Sequence, residues 1–195
     1  MPAVPKHRQP IINTAVTLFR RQGYSRTGLN EIVETSGAPK GSLYHYFPLG
    51  KSSIGVAAVK EAGCRVAATL KKLAEECRST GDLLRRHAQL LAGWMRVSGF
   101  RDGCPITTVL LELAPRDRGV AESGRKAYAA RIDVLKRKLT SDGFSPASTG
   151  RLAILCVSAL QGALIQARVE RSGAPIETTA EELAKMLENA RLDLS

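Results

Sequence analysis

The chain has 195 residues, 44% of them hydrophobic, a formal net charge of +11 and a sequence pI near 9.9. That length suits one large domain, or a small one leaning on a larger one, with enough apolar residues for a real core. No apolar run approaches the roughly 18 residues of a membrane span, and MPAVPKHRQP lacks the apolar stretch of a secretory signal. A cytoplasmic protein with no membrane partner is therefore expected. Its positive charge calls for an acidic partner, either nucleic acid or an anionic surface. Residues 1–51 carry a net +5, from seven Lys/Arg and two acids, against +6 over the remaining 144. That concentration favours DNA.

Ile11, Ile12, Ala15, Leu18 and Phe19 recur at three- and four-residue steps, which predicts an amphipathic helix from about Gln9 to Gln22, closed by Gly23. Thr27 or Gly28 then caps a short helix with Leu29, Ile32 and Val33. Gly37 ends that helix, and SGAPKGSLYHYFPLGK leads through a tight turn into a second one. Two short helices joined by a Gly-containing turn are the sequence form of a helix-turn-helix. The first turn of its second helix meets DNA, so the small and cationic residues there fit. Leu43 and Phe47 are left to pack inward.

After Pro48-Leu49-Gly50 a long helix is predicted from Lys51 or Ser52 to about Cys77, and another from about Asp82 to Val97. Cys104-Pro105 opens a short apolar helix to Leu113, since proline is well placed in a first turn. A helix polar on one side follows from about Gly119 to Leu139. From Thr149 to Arg171 apolar residues fall on two stripes, as in a helix covered on two sides. Ser172-Gly173-Ala174-Pro175 should break the chain before a last helix capped by Thr179. The fold expected is all-α: a three-helix head over 1–50 and a larger helical domain over 51–195.

IINTAVTLFRRQGY and TGLNEIVETSGAPKGSLYHYFPLGK together closely resemble the amino-terminal domain of the TetR/AcrR family of bacterial transcriptional regulators. The match runs from about Ile11 to Lys51. FPLGK and the later GCPI are most similar to the branch of drug- and flavonoid-responsive repressors. Gly28 stands where many members carry a capping Ser or Thr, and Tyr46 replaces a common His before the Phe.

The resemblance implies a ligand-responsive homodimer whose heads occupy successive major grooves of a palindromic operator in double-stranded DNA. Ala38, Pro39 and Gly41 would let the helix approach the groove. Lys40, Ser42 and His45 are candidates for base edges or phosphates, and Tyr44 for a phosphate. Thr27, Asn30 and Lys51 would hold the backbone. Tyr44 and His45 have the alternative of being half-buried surface residues. Lys6 and Arg8 form either a DNA-touching arm or a solvated tail.

A small hydrophobic effector would lie among the middle helices. Candidate lining residues are Leu90, Trp94, Met95, Ile106, Leu110 and Leu111, then Leu160, Gln161, Leu164 and Tyr128; plain core packing is the alternative for each. Cys104, at a helix start, is a candidate sensor of electrophiles or simply a small hydrophobe. Ala159, Gly162, Ala163 and Ala167, with Leu183, Met186 and Leu187, are candidates for a four-helix dimer interface, unless one chain covers both stripes. No Ser/His/Asp order, phosphate-cradling loop or metal-spaced cluster suggests an enzyme or a cofactor. The four cysteines show no CxxC spacing.

Overall fold

The computed structural model describes residues 6–192, and side chains as far as residue 190. Among the described residues the secondary structure is helical throughout: α1 Arg8–Gln22, α2 Leu29–Ser36, α3 Lys40–Tyr46, α4 Lys51–Glu76, α5 Thr80–Val97, α6 Pro105–Leu113, α7 Arg118–Ser141, α8 Pro146–Glu170 and α9 Ala174–Leu192. Residues 1–5 of the amino-terminal arm lie outside the described residues.

The chain divides into two compact units at places other than residue 50. Unit 1 takes residues 1–64 and 104–127; unit 2 takes 65–103 and 128–195. The first half of α4, all of α6 and the start of α7 thus belong with the head. In unit 1, α1 packs against α2, α3 and α6; its stripe Ile11, Ala15 and Phe19 is fully buried, as are Ile32 of α2 and Leu43 of α3. The backbones of α4 and α7 approach closely enough that a Cβ on Gly63 would lie 2.6 Å from that of Ala127, so only glycine fits.

In unit 2, α5 lies against α8 and α9. Its core joins Leu83, Leu84, Ala88 and Ala92 of α5 to Cys156 and Ala163 of α8 and Ile176, Ala180 and Leu187 of α9. Gly81 and Gly173 permit close approach, since a Cβ at either would meet a neighbour at about 3 Å. Buried Asp142 accepts from the Thr80 N–H and hydroxyl and pairs with Lys138 at 3.3 Å, tying the end of α7 to the start of α5. Arg85 reaches from α5 to Glu181 and Glu188 of α9, each at 2.6 Å.

Two expectations change. The last helix starts at Ala174, five residues before Thr179, because Pro175 falls in its first turn, where no N–H is lost, and the Ser172 hydroxyl accepts the Ala174 N–H. In addition, α8 is long and apolar enough by composition to cross a membrane, although Ser158 and Gln161 interrupt its apolar run. One face of α8, through Ala153, Cys156, Leu160, Ala163 and Ala167, is buried in unit 2. The other carries Ile154, Leu155, Ile165 and Val169, all exposed.

Candidate nucleic-acid interface

The α2–α3 turn is shaped by local chemistry. Gly37 takes φ 65°, a left-handed position that costs any residue with a Cβ, and its N–H donates to the Glu34 carbonyl. The Ser36 hydroxyl donates to the Val33 carbonyl and accepts the Ala38 N–H, which pins the turn. Pro39 caps α3 with φ −56°, leaving Lys40 as its first residue. Leu43 and Phe47 are buried, so the helix has one possible orientation, and Lys40, Gly41, Tyr44 and His45 face out. Tyr44 is 51% exposed, and His45 stacks edge-on against Tyr46 with ring centroids 5.0 Å apart. The Arg8 guanidinium lies over the Phe47 ring at 5.6 Å, so this arm residue is the start of α1.

The residues expected at the phosphate backbone are placed unequally. Asn30 is exposed in the first turn of α2. Gly28 is its N-cap, and its N–H reaches Glu31 Oε2 at 3.4 Å. Thr27 is fully buried; its hydroxyl donates to the Gly23 carbonyl at 2.7 Å and accepts from Gln22 Nε2 at 3.3 Å. The Thr27 side chain therefore braces the α1–α2 corner instead of standing at the surface. Ala38 is buried too, while Pro39 is exposed and Ser42 half-buried. Lys51 donates to the Ser25 carbonyl at 3.2 Å and covers the Tyr24 ring at 4.4 Å. Burial lowers its pKa, against the opposing pull of Glu112.

Glu112 is a residue of this region that sequence reading missed. From α6 its carboxylate accepts the Tyr24 and Ser25 backbone N–H groups, each at 2.8 Å, and the Ser25 hydroxyl. Burial alone would raise its pKa, but those donors and the Lys51 ammonium hold it below the usual carboxylate range. One further contact repeats the theme: Asp117, just before α7, accepts the Ser52 hydroxyl and the Val120 N–H, which lower its pKa. A Cβ at Gly23, where φ is 87°, would come within 2.9 Å of Glu112 Oε1. The signal was a lone acid in the apolar run ITTVLLEL of α6.

Residues expected around an effector divide between the units. In unit 1, Ile106 is buried, Leu110 packs on Gly124, Leu111 is exposed, and half-buried Cys104 caps α6. In unit 2, Met95 and Leu160 are buried, Leu164 and Tyr128 are half-buried, and Leu90 and Trp94 are exposed. Gln161 accepts from Arg131 Nη1 at 3.2 Å, and the Arg131 guanidinium lies 5.4 Å from the Tyr128 ring centre. His87 is buried nearby, and neither of its ring nitrogens has a hydrogen-bond partner. Burial, with the Arg131 charge second, pushes its pKa down to about 4.

The interface candidates need correction. Ala163, Ala167, Leu183 and Leu187 are buried in the chain's own core, so their side chains have no surface to offer a second copy. Ala159 is half-buried, whereas Gly162 and Met186 are exposed. The apolar residues that α8 leaves exposed are Ile154, Leu155, Ile165 and Val169.

A helix-turn-helix whose second helix turns polar side chains outward from a fixed apolar base belongs to a DNA-binding protein. Residues 11–58 match the family described as bacterial regulatory proteins, tetR family, and residues 81–182 match the transcriptional regulator LmrA/YxaF-like C-terminal domain. The chain is 30% identical to the HTH-type transcriptional regulator YxaF of Bacillus subtilis, covering 90% of this chain and 92% of that one. It is 27% identical to LmrA of the same organism (87% and 90% covered) and 25% identical to the repressor NemR of Escherichia coli (87% and 88%). Among solved structures, the fold is similar to the reduced form of E. coli NemR, with TM-score 0.78, 24% identity and 91% and 96% of the two chains covered. It is also similar to a regulatory protein TetR from Rhodobacter sphaeroides, with TM-score 0.76, 22% identity and 92% and 97% covered. The chain belongs to the TetR family of transcriptional regulators, and is not an enzyme.

Proposed function

We propose that this regulator is a homodimeric repressor, working in the cytoplasm, that leaves a palindromic operator when a small hydrophobic molecule binds its larger domain. The observation that carries the reading is the outward face of α3, Lys40, Tyr44 and His45, on a head that Glu112 and Asp117 tie to α6 and the start of α7. The name of NemR, a transcriptional repressor, supports the direction of control. The FPLGK linker and the GCPI turn favour the drug- and flavonoid-responsive branch.

In the bound state Lys40, Ser42 and His45 read base edges or phosphates, with Gly41 allowing close approach. Tyr44, Asn30 and Lys51 hold the backbone and fix register. Two heads spaced about 34–36 Å apart would fit successive major grooves. The exposed stripe Ile154–Ile165–Val169, with Leu155 and Met186, is the surface that pairs two copies. Effector would act only through a difference in affinity between the DNA-competent dimer and the released one.

The test is a titration of one intergenic palindrome against random DNA at fixed salt. A specificity ratio of about a thousandfold or more is expected, and a ratio near one refutes the reading. Lys51→Ala should weaken binding to both DNAs and reduce the salt slope by about one unit.

A further inference from the structure

Buried cations in a folded chain are ordinarily matched by a carboxylate, because desolvation costs more than scattered dipoles return. Arg131, 6% exposed in the α7 segment of unit 2, breaks that rule. Among the described residues no carboxylate lies within ion-pair distance of its guanidinium, which is met by the Gln161 amide oxygen and the Tyr128 ring face. Gln161 engages Nη1 alone; buried Nε has no acceptor, and Nη2 makes no hydrogen bond to the protein. Nε and Nη2 form the edge that grips a carboxylate through two parallel bonds. His87 from α5, 8% exposed, adds a second unmatched polar group. As a neutral ring it offers one donor and one acceptor.

Neither feature has a structural use in the chain as it stands. An apolar residue of similar size would fill the place of Arg131 without the desolvation penalty, and an unmatched buried imidazole destabilises in the same way. Both belong to unit 2, which also holds an extended cluster of buried apolar side chains. Three separate helices, α5, α7 and α8, contribute to the arrangement, so its polar groups converge from different directions.

We propose that Arg131, seconded by Gln161 and His87, is the recognition group of the effector site, and that the effector is an apolar carboxylic acid bound as its anion. The carboxylate takes the Nε/Nη2 edge, its frame packs on the Tyr128 ring and the surrounding apolar side chains, and the His87 N–H reaches a remaining polar atom. This deepens the reading of the larger domain as the effector domain and rests on it for the regulatory consequence, though not for the binding itself.

The experiment compares 2-naphthoate, neutral 2-naphthamide and acetate as probes of the full-length dimer, by thermal shift and calorimetry, in wild type, Arg131→Met and Arg131→Lys. Naphthoate should stabilise the wild type, with naphthamide binding at least about tenfold more weakly. Arg131→Met should melt no lower than wild type without ligand and lose the preference for the acid. Arg131→Lys, which keeps the charge but not the fork, should bind naphthoate about tenfold more weakly.

Equal shifts from acid and amide, or none from either, overturn the proposal. So does an acetate effect as large as that of naphthoate, which would leave only a simple-anion site. If Arg131→Met melts several degrees lower or does not fold, Arg131 is structural; if it becomes monomeric, the missing carboxylate belongs to a second copy. Either result refutes the assignment. Arg131-dependent naphthoate binding that leaves the operator complex untouched supports the acid site and refutes its regulatory role. Release by neutral compounds alone does the reverse.

Discussion

Replacing His87 isolates the cost of a buried imidazole that meets no partner. In the folded chain its pKa falls from the usual 6.5 to about 4, first through burial and second through the Arg131 charge. A base whose folded pKa is lowered takes up its proton more readily when unfolded. Stability is therefore complete above pH 6.5 and drains away as the pH falls toward 4. The shift corresponds to about 3 kcal/mol once both states are protonated, and to about 2 kcal/mol at pH 5. Trp94, the single tryptophan, is on the same helix as His87, so its fluorescence follows unit 2. Urea melts of wild type and His87→Leu at pH 7 and pH 5, at one protein concentration, give the difference directly. Leucine changes absolute stability by an amount common to both pH values, while the titration of every other group cancels between the two proteins. The variant should lose about 2 kcal/mol less than wild type between those pH values. Equal losses would show that the imidazole is solvated or paired, and would refute the account of the site.

Three other outcomes can be checked. Gly37→Ala should cost about 1 kcal/mol in a thermal melt, because φ is 65° and open space around the site leaves only the backbone penalty; no loss would show that the turn relaxes away from the left-handed position. Ile165→Glu should give a monomer by sedimentation, since Ile165 is 53% exposed, and an unchanged mass would remove the outer stripe of α8 from the interface. Glu112→Gln keeps the shape but weakens charge-assisted bonds to the Tyr24–Ser25 turn, at a cost of about 1–2 kcal/mol. Operator affinity in that variant should become less responsive to effector, and an unchanged response would exclude Glu112 from the coupling.

Helix type and order were legible in the sequence because caps and apolar spacing act locally. Gly23 and Gly37 close α1 and α2, and Pro105 opens α6, for reasons visible in a few neighbouring residues. The outward placement of Lys40, Tyr44 and His45 was legible too, since Leu43 and Phe47 leave α3 no other orientation. What escaped depends on contacts distant in sequence. Thr27 resembles a surface capping residue until the Gly23 carbonyl and Gln22 are seen around it. Leu183 and Ala163 read as one stripe with their outward neighbours, and only the α5–α8–α9 packing decides which side of each helix is covered. Arg131 keeps the three- and four-residue spacing of buried Val120, Ala127, Val134, Leu135 and Leu139, so its place on the covered face of α7 was open to the sequence and went unread because a charge stood there.

The grip of Glu112 on the corner after α1 has an evolutionary corollary. Three donors of one corner converge on a single carboxylate, so on the proposed reading residues 104–117 would act as a tiller for the head. Substitutions that slide this short segment by a fraction of a turn would steer the regulator with no inducer present. Constitutive and inducer-blind alleles should therefore accumulate there, while the amino acids facing the cargo of the larger domain stay free to drift toward new chemicals.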